Sequence, residues 1–173
     1  MLVTACLRGD RGAFDELVDR YQGPLFNAAY RITGSVDDAM DATQTAFVNA
    51  FQKLGTFDPK YRFFSWIYRI VVNQSLNLVD RRRDESALDS ELPATDGNPE
   101  QAFDGSERAR LLEQALMELA AEHRTVILLK HLEGFSYQEI GEMLGIPEKT
   151  VKSRLFTARQ RLRLILKERG VTP

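Results

Sequence analysis

The sequence predicts an all-α protein: two small helical domains joined by an acidic, flexible linker. Three observations carry this. Apolar residues recur at helical spacing through both halves, and no useful run alternates with a strand's period of two. Acidic residues with Pro and Gly crowd the middle of the chain. Finally, 173 residues at 43% hydrophobic suffice for one ordinary domain or two with thin cores.

The first half opens with Phe14, Leu17, Val18 and Tyr21 on one helix face. Gly23-Pro24 predicts an interruption there. Leu25, Ala28, Ala29 and Ile32 resume the pattern until Gly34-Ser35. Ser35 followed by Asp37 and Asp38 reads as a helix start, since a hydroxyl caps the free amides and carboxylates suit the positive helix end. That helix carries Ala39, Ala42, Ala46, Phe47, Ala50, Phe51 and Leu54, and Gly55 stops it. After a loop at Asp58-Pro59, a last helix is expected from about Phe63 to Arg82.

The segment between, 84–107, holds Asp84, Glu85, Asp89, Glu91, Asp96, Glu100, Asp104 and Glu107 without a Lys or Arg, plus Pro93, Gly97, Pro99 and Gly105. Few apolar residues and one sign of charge make it a linker. The domains are therefore expected at 1–83 and 108–173. In the second, Leu111, Leu112, Ala115, Leu116 and Leu119, then Val126, Ile127 and Leu129, continue to a stop at Gly134. Ser136 and Glu139 are spaced for a capping box. A short helix from Tyr137 to Leu144 ends at Gly145, and Pro147 opens the final helix.

Those last two helices and their short Gly-containing turn fit a helix-turn-helix. In the final helix Val151, Leu155, Ala158 and Leu162 make the buried stripe. Lys149, Thr150, Lys152, Ser153, Arg154, Phe156, Thr157 and Arg161 are the candidate DNA contacts: cations for phosphate, polar tips for base edges, and Phe156 for a thymine methyl. The plainer alternative is a solvated cationic face with Phe156 covered by a neighbouring helix.

The net charge of −2 argues against a uniformly basic nucleic-acid binder. Its distribution is more telling, because residues 149–169 carry eight Lys and Arg against Glu168, and Arg81 to Arg83 close the first half. Around Phe57 to Tyr68, aromatics alternate with Lys60, Arg62 and Arg69. Such a surface stacks unpaired bases; the alternative is a domain core, favoured for Phe64, Trp66 and Ile70. Lys60, Tyr61, Arg62 and Phe63 in the loop are candidates for single-strand contact. Arg69, Asn73, Asn77 and Arg81 are candidates for phosphate tracking along the helix.

Other classes find less support. One cysteine, Cys6, and two histidines, His123 and His131, supply neither a disulfide framework nor a multi-Cys zinc site. No cofactor or metal is expected. No apolar run approaches the roughly 18 residues of a membrane span, and the N-terminal residues lack the order of a secretory signal, so no membrane insertion and a cytoplasmic location are expected. A nuclease would need a pocket of carboxylates or histidines, and the acidic residues lie mostly in the linker or on helix surfaces.

Trp66-Ile67-Tyr68-Arg69-Ile70-Val71-Val72-Asn73, the run Gly134 to Arg163, Asp38 to Gln44 and Asn98-Pro99-Glu100 together resemble the extracytoplasmic-function subfamily of bacterial RNA polymerase sigma-70-type factors. The likeness covers roughly 8–83 as sigma region 2 and 108–167 as sigma region 4, with no region 3 between. It implies a non-catalytic specificity subunit. Its partners would be core RNA polymerase (the β' clamp and the β flap), promoter DNA and a controlling anti-sigma factor. The resemblance places Asp41, Gln44, Phe47 and Phe51 on the clamp, the loop Lys60 to Phe63 on a flipped base of the −10 element, and Lys152, Ser153, Phe156 and Thr157 on the −35 element. Met40 and Thr45 stand where the family usually has acidic residues. A stand-alone helix-turn-helix regulator is the alternative; the segment around Trp66 and the clamp-like helix speak against it.

Overall fold

The computed structural model describes residues 2–88 and 107–170. The described residues are helical and contain no strand, and they fall into two compact units. Residues 89–106, most of the expected linker, lie outside the described residues.

The first unit consists of α1 (Leu2–Leu7), α2 (Arg11–Thr33), α3 (Val36–Lys53) and α4 (Phe63–Leu88), with one 3₁₀ turn, Leu54–Thr56, after α3. Helices α2, α3 and α4 pack against one another, and α1 lies on α2. Asp10 starts α2 by accepting the Ala13 amide at 3.2 Å. Ser35 starts α3 in the same way, accepting the Asp38 amide at 3.3 Å. Between them Gly34 adopts φ 72°, a left-handed conformation that closes α2 through its amide on the Tyr30 carbonyl. Ala39, Ala42, Ala46 and Ala50 are buried along α3. Their small side chains let α2 and α4 approach closely.

Pro24 does not interrupt α2, contrary to the sequence expectation: one helix runs through it. The missing hydrogen bond and ring clash cost about 3 kcal/mol. Leu25 and Ile32 are buried beyond it with Ala28 and Ala29. Each large side chain returns about 1.5–3 kcal/mol, so tertiary burial overrides the breaker. Helix α4 likewise runs to Leu88, past Arg82. Residues 83–88 contain neither Gly nor Pro, so nothing local stops it.

The second unit consists of α5 (Glu107–Met117), α6 (Ala121–Ile127), α7 (Tyr137–Leu144) and α8 (Glu148–Glu168), with a wider π-type turn, Leu128–Leu132, between α6 and α7. Helices α5, α6 and α7 all pack on α8. Its core gathers Leu116, Leu119, Val126, Leu129, Ile140, Val151, Leu155 and Ala158. Arg124 is buried here, donates to the Met117 carbonyl at 2.9 Å and so closes the end of α5. Burial pulls its pKa down to about 10, which leaves it charged at neutral pH.

Candidate nucleic-acid interface

In the first unit the loop before α4 is folded by Asp58. Its carboxylate accepts the Lys60 amide at 3.0 Å and its carbonyl accepts the Tyr61 amide at 3.0 Å. This Asx-type turn pushes Tyr61 outward, 71% exposed, between exposed Lys60 and Arg62. Phe63 goes the other way. It is only 8% exposed and its ring lies 5.8 Å from Tyr21, 5.8 Å from Phe57 and 5.7 Å from Trp66. The expectation that Phe63 meets a base is therefore corrected: as the first residue of α4 it anchors the loop into the aromatic core. Along α4, Arg69, Asn77 and Arg81 are exposed and Asn73 is half-buried. At four-residue spacing these form a stripe about 18 Å long. Arg82 is directed elsewhere. Its Nε lies 2.9 Å from the Asp38 carboxylate and its Nη2 donates to Ser35 Oγ at 3.1 Å, which ties α4 to the start of α3. Burial raises the Asp38 pKa even though Arg82 opposes the shift.

On α3, Asp41 and Gln44 are exposed and Phe51 is 55% exposed. Phe47 is buried at 7% and sits edge-on to Phe14 with ring centres 6.4 Å apart. Phe47 is thus a core residue beneath the exposed face, a second correction. Two residues that the sequence reading did not assign complete that face: Met40, 48% exposed, and Val48, 56% exposed. The available signal was their position off the alanine stripe, with Gln44 midway between them at four-residue spacing.

In the second unit the helix-turn-helix is built as expected. Ser136 Oγ accepts the Glu139 amide at 3.2 Å and Glu139 accepts the Ser136 amide at 2.7 Å. That reciprocal bond holds the Glu139 carboxyl below its usual pKa. Gly145 takes φ 65°, and the Ile146 amide returns to the Gly141 carbonyl at 3.0 Å. Gly141 admits the turn: a Cβ there would stand 2.7 Å from the Ile146 carbonyl oxygen.

Helix α8 then presents Lys149, Lys152, Ser153 and Arg161 to solvent, with Phe156 63% exposed and Thr150 and Thr157 half-buried. Among the described residues no neighbouring helix covers Phe156. Arg154 is half-buried and pairs with Glu122 of α6 at 3.2 Å, an ion pair that links α8 to α6. Lys152 pairs with Glu148 at 2.6 Å and stands 5.4 Å from the Tyr137 ring, which also lies under Lys130 at 4.7 Å. The Glu148 contact raises the Lys152 pKa. Arg159, another of the cations flanking the buried stripe, is exposed. It donates to His131 Nε2 from Nε at 3.2 Å and lies 3.0 Å away through Nη2. Burial, then Arg159 and Lys130, lowers the His131 pKa, which favours the neutral ring that an arginine donor needs as its acceptor.

One unit therefore carries an exposed tyrosine among cations, and the other a helix-turn-helix with a cationic second helix. Together they define a two-module helical DNA-binding protein. The family described as Sigma-70 region 2 matches residues 17–85, and Sigma-70, region 4 matches residues 109–162. The sigma factor SigW of Bacillus subtilis is 34% identical, over 93% of this chain and 92% of its own. The sigma-E factor of Escherichia coli is 34% identical, over 92% and 90%. Among solved structures, the sigma factor RpoE bound to the anti-sigma factor NepR from Bartonella quintana aligns with a TM-score of 0.76 at 26% identity, covering 89% of this chain and 96% of that one. CnrH, solved with the cytosolic domain of CnrY, aligns at 0.67 and 29%, covering 96% of each. The chain belongs to the extracytoplasmic-function subfamily of RNA polymerase sigma-70 factors, and as such it directs the polymerase to promoters. Among the described residues no helix is long and apolar enough to cross a membrane.

Proposed function

We propose the following division of work. The exposed face of α3, with Met40, Asp41, Gln44, Val48 and Phe51, docks on the β' clamp, and Phe47 supports it from beneath. Tyr61, with Lys60 and Arg62, captures an unpaired base of the −10 element, while Arg69, Asn73, Asn77 and Arg81 follow the adjacent phosphates. Helix α8 enters the major groove of the −35 element. There Lys149, Thr150, Lys152, Ser153, Phe156, Thr157 and Arg161 make contact, and Arg159 adds phosphate binding. Residues 89–106 connect the two domains, and the β flap receives the second. The chain supplies no covalent step; phosphoryl transfer belongs to the polymerase.

The single observation that carries this reading is the exposure of Tyr61 beside two cations while its aromatic neighbours are packed away. Extruding a base costs a few kcal/mol, and stacking returns about 1–3 kcal/mol per base. Capture on Tyr61 then offsets much of the cost of opening. An anti-sigma factor is the proposed regulator, supported by the structural relatives solved with RpoE–NepR and CnrH–CnrY pairing. The test is open-complex formation by the chain with core polymerase. Tyr61→Ala should slow opening of a duplex promoter and spare a promoter already mismatched across −10. Equal loss on both templates would contradict base capture.

A further inference from the structure

Glu148 opens the recognition helix, and nothing in the reading above uses it. Its carboxylate is about half exposed and lies 2.6 Å from Lys152 Nζ. Four residues beyond Lys152 comes Phe156, so Glu148, Lys152 and Phe156 follow one stripe along the first turns of α8. The N-terminal turns of a recognition helix are the part that reaches base edges. A carboxylate there is repelled by phosphate, so the backbone gives it no favourable partner. The major groove offers it two donors, the cytosine N4 and adenine N6 amino groups. Adenine N6 has the acceptor N7 beside it, which repels a carboxylate. Cytosine N4 has no such neighbour on its own base, and its paired guanine presents O6 and N7 to a cation.

We infer that Glu148 and Lys152 act as one reading unit for a G·C pair in the −35 element, Glu148 accepting from cytosine N4 and Lys152 donating to guanine O6. The ion pair already sets an acceptor beside a donor, as the two edges of that base pair require. Tyr137 under Lys152 limits how far the ammonium can swing. Glu148 is then a specificity-determining residue, and its negative charge also disfavours binding where no such pair is present. The inference rests on the reading of α8 as the −35 reader.

The test uses the full chain with purified core polymerase on promoters in which each −35 base pair is varied in turn. The wild type should prefer C at one position by about 5- to 150-fold, the span of one good base contact. Glu148→Gln keeps the size of the side chain, and an amide pairs with adenine N6 and N7, so preference at that single position should move from C towards A. Glu148→Ala should flatten it there and leave the other positions unchanged. A Glu148→Gln profile identical to wild type, or an equal gain on every sequence, overturns the inference while leaving α8 as reader. A wild type indifferent to every −35 base overturns both. Circular dichroism of each variant, unchanged from wild type, separates these outcomes from unfolding.

Discussion

Replacing Gly141 by alanine tests the helix-turn-helix at its tightest point. The added Cβ would stand 2.7 Å from the Ile146 carbonyl oxygen, with Glu148 N at 3.6 Å and the Val151 side chain at 3.8 Å. The last two are ordinary contacts, so the whole strain falls on the turn. That carbonyl is backbone, it precedes Pro147, and the Ile146 amide is itself bonded to the Gly141 carbonyl at 3.0 Å. It cannot rotate away as a side chain would. Over-packing costs about 1–3 kcal/mol, and a rigid backbone target puts this site in the upper half. Alanine recovers about 1 kcal/mol of helix propensity over glycine. The expected net loss is about 1–2 kcal/mol, confined to the second unit. Denaturant unfolding followed by two probes checks it. The sole tryptophan, Trp66, lies in the first unit and its transition should not move. Far-ultraviolet circular dichroism should show a second-unit transition at lower denaturant. Gly12→Ala, where the nearest atom is 3.4 Å away, is the control and should be neutral or stabilising. If Gly141→Ala is as stable as wild type, the turn does not pack against α7 as described.

Other consequences follow from single contacts. Ser136→Ala removes the cap of α7 and should cost about 0.5–2 kcal/mol of second-unit stability in the same titration; a loss near zero would mean the capping box does not form. His123 and His131 both have folded pKa values below the ordinary value near 6.5, burial being the first cause in each. Protonation is then favoured in the unfolded chain, so their contribution is present above about pH 6.5 and falls as the pH drops through the lower folded values. The second unit should melt at lower temperature at pH 5 than at pH 7, and the His123→Gln, His131→Gln double variant should flatten that difference; an unchanged slope would contradict it. Lys152→Ala should weaken −35 binding and Phe156→Ala should relax preference for thymine at one position, as read by competition between promoter duplexes; uniform loss from Phe156→Ala would rule out base contact.

Most of the fold was legible because its signals are local. Asp38 and Glu139 amides meet the hydroxyls of Ser35 and Ser136, and Gly34 and Gly145 turn left-handed, as their positions at the ends of apolar runs require. Pro24 was misleading because a breaker's cost is local whereas the burial of Leu25 and Ile32 comes from α3 and α4, which periodicity does not weigh. At the site, residue type named the chemistry and left orientation open. Tyr61 and Phe63 are two positions apart in one aromatic run, yet the Asp58 turn exposes the first while the start of α4 buries the second. Phe47 and Phe51, one turn apart on α3, divide in the same manner. Arg154 and Arg159 looked equivalent as cations; their partners Glu122 and His131 come from elements distant in sequence and distinguish them.

The most direct test is to map transcript start sites produced by purified core polymerase on a promoter library, with and without the full chain. The account predicts a new set of starts that appears only with the chain, depends on both −35 and −10 sequences, and is lost with Phe51→Ala through weakened polymerase binding. Start sites that are the same in the presence and absence of the chain would contradict it.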